Sequence, residues 1–178
     1  MRGGGLRTVA IAGIVLLSWA AASAPLLPRE ALPPASAVTA QFAEITREAG
    51  TGPNETAVGT PLASRSVVFS SADGSKKVTL SVDRYASPAD AAAAFRTAIE
   101  GSRAAPGFQP APAPRLGEEA FAGTSQVGKE MHFGLGAREG VLVVSATHAG
   151  DIPVTPENTN KLTQLGRVTL VAAKKVQP

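Results

Sequence analysis

Two stretches of this chain each pair two alternating apolar runs around a turn sequence, and each pair is followed by a Ser/Thr-Pro helix start. That pattern commits the chain to antiparallel hairpins with helices packed on them. In the first, SRSVVFSS and KKVTLSVDRY flank ADGS. With Asp73-Gly74 as a two-residue type I′ turn, Val67 lies opposite Leu80 and Phe69 opposite Val78. Apart from Val68, the large apolar side chains of both strands then share one face, which supports the register. In the second, KEMHFGLGAR and VLVVSATHA flank Glu139-Gly140. Met131, Phe133, Leu135 and Ala137 alternate on one face. Leu142, Val144 and Ala146 join them when Arg138 opposes Val141. This register sets Met131 beside His148 and sends His132 to the other face.

The helix starts are equally legible. Ser87 is an N-cap, Pro88 takes the first helical position and Asp90 reaches back in a capping-box manner. The spacing predicts a helix from Pro88 to Ser102, with Ala91, Phe95, Ala98 and Ile99 inward and Arg96, Glu100 and Arg103 outward. Thr155-Pro156-Glu157 opens the last helix by the same logic. Its predicted inward stripe is Leu162, Leu165, Val168, Thr169, Ala172 and Val176, and Lys174 and Lys175 sit where the helix dipole favours positive charge.

Between these blocks the signals are weaker. Val38, Phe42, Ile45 and Ala49 fall on one helical stripe, so a helix is expected over 37–49, stopped at Gly50. Residues 50–63 read as a loop. Pro110, Pro112 and Pro114 predict an extended strap over 104–114, and LGEEAFA a short strand over 116–122. The fold class is therefore α+β: a mainly antiparallel sheet of about five strands with helices packed on it, forming a single domain over 37–178.

The N-terminus has the three-part pattern of an export signal. Arg2 and Arg7 precede an apolar run from Thr8 to Trp19, and Ala20-x-Ala22 offers a cut before Ser23. The expectation is a signal peptide over 1–22. The competing reading is an uncleaved anchor, because Thr8 to Ala24 reaches 17 residues, at the short end for a membrane span. Both readings export the rest, to a periplasmic, extracellular or membrane-anchored position on the outer side of the inner membrane. Residues 23–36, with four prolines, read as a spacer. Loss of Arg2 and Arg7 takes two of the 17 basic residues, so the net charge falls from +3 to +1. A near-neutral chain with the seven aromatics left once Trp19 has gone is a poor nucleic-acid binder. Alanine supplies 33 of the apolar residues, so the core is thin and rests on scattered Val, Leu, Ile and Phe.

Zero cysteines exclude disulfides, thiolate metal sites, a cysteine nucleophile and a cysteine-linked lipid anchor. The only histidines, His132 and His148, are predicted on opposite sheet faces and so share no metal. No serine lies in a nucleophile elbow, and neither GTGPNE nor GLGAREG ends as a phosphate loop does. Glu118-Glu119 reads as a solvated strand end, and Asp83-Arg84 as an ion pair or cap at a strand exit. Asn54-Glu55-Thr56 matches a glycosylation sequon. The sequence therefore assigns no catalytic, cofactor-binding or metal residues and no cofactor.

The series VTLSVDRYASPADAAAAFRTAIEG, RLGEEAFA and GLGAREGVLVVSATHA resembles small exported bacterial envelope proteins of the Mog1/PsbP-like type. Those include actinobacterial lipoproteins and the extracellular sensor domains of receptor kinases. The resemblance covers about 66–176. This chain lacks the lipid-anchoring cysteine of many relatives and the disulfides of the kinase sensor domains. The resemblance implies a non-enzymatic binding or accessory role in the cell envelope, toward a partner protein or a small apolar ligand, and it transfers no site residues. The alternatives are a small extracytoplasmic enzyme of hydrolase type on the same fold, which would need a convergent polar cluster in a pocket, and a purely structural envelope domain.

Overall fold

The computed structural model describes residues 24–128 and 130–176. The export segment expected over 1–22, with Trp19, lies outside the described residues. The elements run 3-10 turn (Arg29–Ala31), α1 (Ala35–Thr39), β1 (Ile45–Gly52), β2 (Ala63–Ser71), β3 (Lys76–Arg84), α2 (Pro88–Ala104), β4 (Gln109–Ala111), β5 (Glu119–Val127), β6 (Glu130–Glu139), β7 (Leu142–Gly150) and α3 (Pro156–Lys175). The strands form one antiparallel sheet of seven in the order β1-β2-β3-β7-β6-β5-β4. The fold is thus mixed α/β, and seven strands replace the five or so expected.

Each hairpin keeps its predicted faces. Val67 pairs with Leu80 and Phe69 with Val78, as the alternation requires. The connection is wider than a two-residue turn: the strands end at Ser71 and Lys76, and the Gly74 N–H closes the bend on the Ser71 carbonyl at 3.1 Å. In the second hairpin the two-residue turn is Gly140-Val141, not Glu139-Gly140, so Glu139 pairs with Leu142 and Phe133 with His148. Gly140 has φ +57°, the left-handed conformation that a hairpin turn requires at its first central position. The slip preserves parity, so the buried faces are as predicted, but Phe133 takes the place beside His148 that was expected for Met131.

One face of the sheet packs the main core. Val67, Phe69, Val78, Leu80, Val144, Ala146, Phe133 and Leu135 lie there under α3. The stripe of α3 is rotated from the predicted one. Leu162, Leu165 and Thr169 are buried with Gly166, Leu170 and Ala173, whereas Val168 is 41% exposed. Gly166 sets the approach: a Cβ there would lie 2.8 Å from a Leu135 methyl, so the helix uses its one glycine to reach the sheet.

The predicted helix over 37–49 is replaced by the five-residue α1 and by β1, whose first residue is Ile45. Val38, Phe42 and Ile45 are still buried together, so the apolar spacing is real and the conformation that satisfies it is different. The stretch 25–36 packs onto the domain where a spacer was expected. The Leu27 N–H donates to the Ser64 carbonyl, the Ser64 N–H donates to the Pro25 carbonyl, and Leu27, Ala31 and Leu32 are buried. In the strap, Gln109–Ala111 adds an edge strand, where Pro110 lacks only a donor that an edge can spare. Phe108 lies over Gly123, at which any Cβ would collide with its ring.

Candidate functional site

On the opposite sheet face α2 covers β6 and β7 and leaves β1, β2 and part of β3 unroofed. Alternation decides what lines this face. Thr79, Ser81 and Asp83 of β3 and Val143, Ser145 and Thr147 of β7 project here, because their neighbours face the core. The helix is placed by its caps: the Ser87 hydroxyl oxygen accepts from the Asp90 N–H at 3.1 Å, with Pro88 at the first position. Its close approach depends on Gly136 of β6, where a Cβ would stand 3.1 Å from the Phe95 ring.

The result is a cleft of about 520 Å³ between α2, the sheet and the segment 50–58. Its helix wall is Phe95, Ala98 and Ile99, and Val68 and Val143 extend the apolar surface across the sheet. The Ser81 and Ser145 hydroxyls are bonded to each other at 2.6 Å across β3 and β7. Phe121 also belongs to the lining. It stacks on Phe108 at 5.5 Å between centroids, with the Arg103 guanidinium 5.7 Å from its ring.

Asp83 is the one acidic group buried in this lining, at 4% exposure. Its ladder neighbours are Ser64 and Val143. Oδ2 accepts from the Asn54 side-chain amide at 2.7 Å, whereas Oδ1 is buried with no hydrogen-bond partner. Burial pushes the carboxyl up to about 7, against a smaller downward pull from the Asn54 bond. Asn54 is itself fixed. Its backbone N–H donates to the Ser64 hydroxyl at 3.1 Å, and its side-chain oxygen accepts from the N–H and hydroxyl of Thr56. The Tyr85 hydroxyl donates to the Val58 carbonyl at 2.6 Å, so the 53–58 loop is tied to the sheet through both Asp83 and Tyr85. Burial, and then the nearby Asp83 carboxylate, hold the Tyr85 phenol well above its ordinary range.

The residues weighed from sequence are dispersed. Asp83 and Arg84 form no ion pair among the described residues, and Asp83 is a cleft residue, not a strand-exit cap. Asn54 spends its side chain inside the fold. Glu118 and Glu119 both bind the largely buried Arg138, at 2.6 Å and 2.7 Å, so this strand end is an ion-pair clamp. His132 and His148 stay on opposite faces. The signal for the cleft was present in the sequence: two adjacent central strands both show small polar residues on the face an alanine-rich helix must pack against. A second groove, between the 3-10 turn and α3, is lined by Arg29, Glu30, Val168, Val171 and Lys175. Among the described residues no helix is long and apolar enough to cross a membrane.

No family model matches the chain, and no curated protein matches it. Among solved structures the chain is similar to the extracellular domain of PknH from Mycobacterium tuberculosis, with a TM-score of 0.56 and 10% sequence identity. The match covers 82% of this chain and 93% of that one. At such identity the likeness is one of fold, a mixed α/β architecture on an antiparallel sheet.

Proposed function

We propose that this chain is an exported, non-enzymatic binding domain of the Mog1/PsbP-like type, and that the cleft under α2 takes a small, largely apolar ligand. The cleft carries the reading: an apolar helix wall faces a sheet floor with a few fixed polar groups, the usual composition of a small-molecule site. The Ser81 and Ser145 hydroxyls at its floor are spent on each other, which suits a binding surface better than a nucleophile awaiting a base. The fold shared with an extracellular domain agrees with export.

Titration with the uncharged fluorophore Nile red tests the cleft. Wild type should enhance its emission saturably, and Ala98→Trp, which fills the helix wall, should abolish this while keeping the unfolding midpoint. Equal enhancement by both proteins would overturn the reading. Export has its own test: protein recovered from the envelope or medium should have a mass lacking the residues before Ser23, and full-length mass would establish the anchor.

A further inference from the structure

We infer that the cleft selects amphiphiles with a primary ammonium head, which Asp83 receives while the apolar body lies along α2. This rests on the ligand-binding reading above and names the class of ligand. Three observations carry it. First, Asp83 Oδ1 is buried and unpartnered, in a side chain whose other oxygen is already fixed by Asn54. A buried acceptor left empty is costly, and an acid adds a charge to that cost. Second, among the described residues no Lys, Arg or His forms an ion pair with Asp83, so its counter-charge is not supplied by the fold. Third, the cleft that Asp83 lines has an apolar helix wall of Phe95, Ala98 and Ile99, and Val143 stands beside Asp83 on its sheet floor.

Clamping the 53–58 loop does not need an acid. A neutral acceptor on β3 would hold the Asn54 amide equally well. What the acid adds is a second oxygen and, above its folded pKa of about 7, a negative charge, and a primary ammonium supplies both missing partners, a donor and a cation. A hydroxyl head satisfies the acceptor and leaves the charge. A carboxylate head brings two like charges together. The chain's net charge of +3 opposes this preference, so a cation favoured over an anion reports on the site and not on the general field.

Calorimetric titration of the full chain at pH 8, where Asp83 carries its charge, with octylammonium, 1-octanol and octanoate tests the assignment, because the three probes differ mainly in the head group. Wild type should bind octylammonium about tenfold more tightly than octanol, and octanoate least. Asp83→Asn should lose that tenfold preference and retain octanol. The wild-type ranking stands without the variant, should the variant fail to fold. Equal affinity for octylammonium and octanol, or tightest binding of octanoate, overturns the ammonium assignment and leaves the apolar cleft intact. No binding of any of the three overturns the cleft reading itself.

Discussion

His148 stands opposite Phe133 in the β6–β7 ladder, its ring 5.8 Å from the Phe133 ring and 6.2 Å from that of Phe42, with neither nitrogen hydrogen-bonded. Burial, helped by the charge of His132, pulls its pKa down to about 4. The unfolded chain takes up this proton below about 6.5 and the folded chain does not. Stability from this site is therefore intact above pH 6.5 and falls as the pH drops toward 4. His148→Leu should remove that loss. Its advantage over wild type in urea unfolding should grow by about 2 kcal/mol from pH 8 to pH 5. An advantage independent of pH would show that the imidazole titrates normally.

Asp83 produces the opposite slope on the other face of the sheet. Its folded pKa of about 7 lies above the unfolded 3.8. Between those values the folded state holds a proton that the unfolded state has lost, so stability falls as the pH rises through this window. Asp83→Asn should gain on wild type by about 3–4 kcal/mol between pH 4 and pH 8. From about pH 4 to 6.5 the Asp83 and His148 slopes cancel. Their joint contribution to the wild-type profile is flat there, while each single variant tilts its own way. Parallel profiles for wild type and Asp83→Asn would refute the raised pKa.

These two side chains also show what was legible in the sequence. Alternation alone put His148 on the core face, because a strand has only two faces, whereas Asp83 read as an ion pair or cap at a strand exit and its place on the far face went unread. Alternation is blind to a slip of two facing positions, and so the Gly140 turn was misplaced by one residue without moving any side chain through the sheet. β1 was missed because Arg47 to Thr51 are all exposed and polar or small, with no period to read. β4 was missed because proline reads as a breaker, which an edge strand tolerates. Val38, Phe42 and Ile45 satisfy a helical stripe as well as a short helix running into a strand, and only packing chooses between them. The cleft needs α2 to sit off-centre and Asn54 to meet Asp83, 29 positions away in sequence. No local pattern encodes either.

Phe95 is buried at 3% exposure, and the next residue, Arg96, faces water. Phe95→Ala should cost about 3–5 kcal/mol, and Arg96→Ala no more than about 0.5. Gly136→Ala drives a methyl to 3.1 Å from the Phe95 ring and should itself destabilise, by about 1–3 kcal/mol. In the Phe95→Ala background the same methyl enters space the ring has left, so the double variant should be more stable than the sum of the singles. Strict additivity in denaturant unfolding would mean that the ring and the glycine are not in contact.

The remaining prediction separates a metal site from a scaffold. His132 pairs with Ser125 on the α2 side of the sheet, and its Nε2 lies 3.4 Å from a carboxylate oxygen of Glu130. His148 is one facing position from the Ala149 that continues this side, and so it projects into the core beneath α3. A tetrahedral zinc would require both imidazoles within about 2.1 Å of one point. The sheet backbone stands between them, and no cluster of three or more His, Asp or Glu forms among the described residues. Calorimetric titration with zinc or nickel should therefore show no micromolar site that depends on both histidines. The comparison is wild type against the double variant His132→Ala, His148→Leu, in which leucine keeps the core filled. Micromolar binding in wild type that disappears in the double variant would place both rings on one face. It would displace the β6–β7 register.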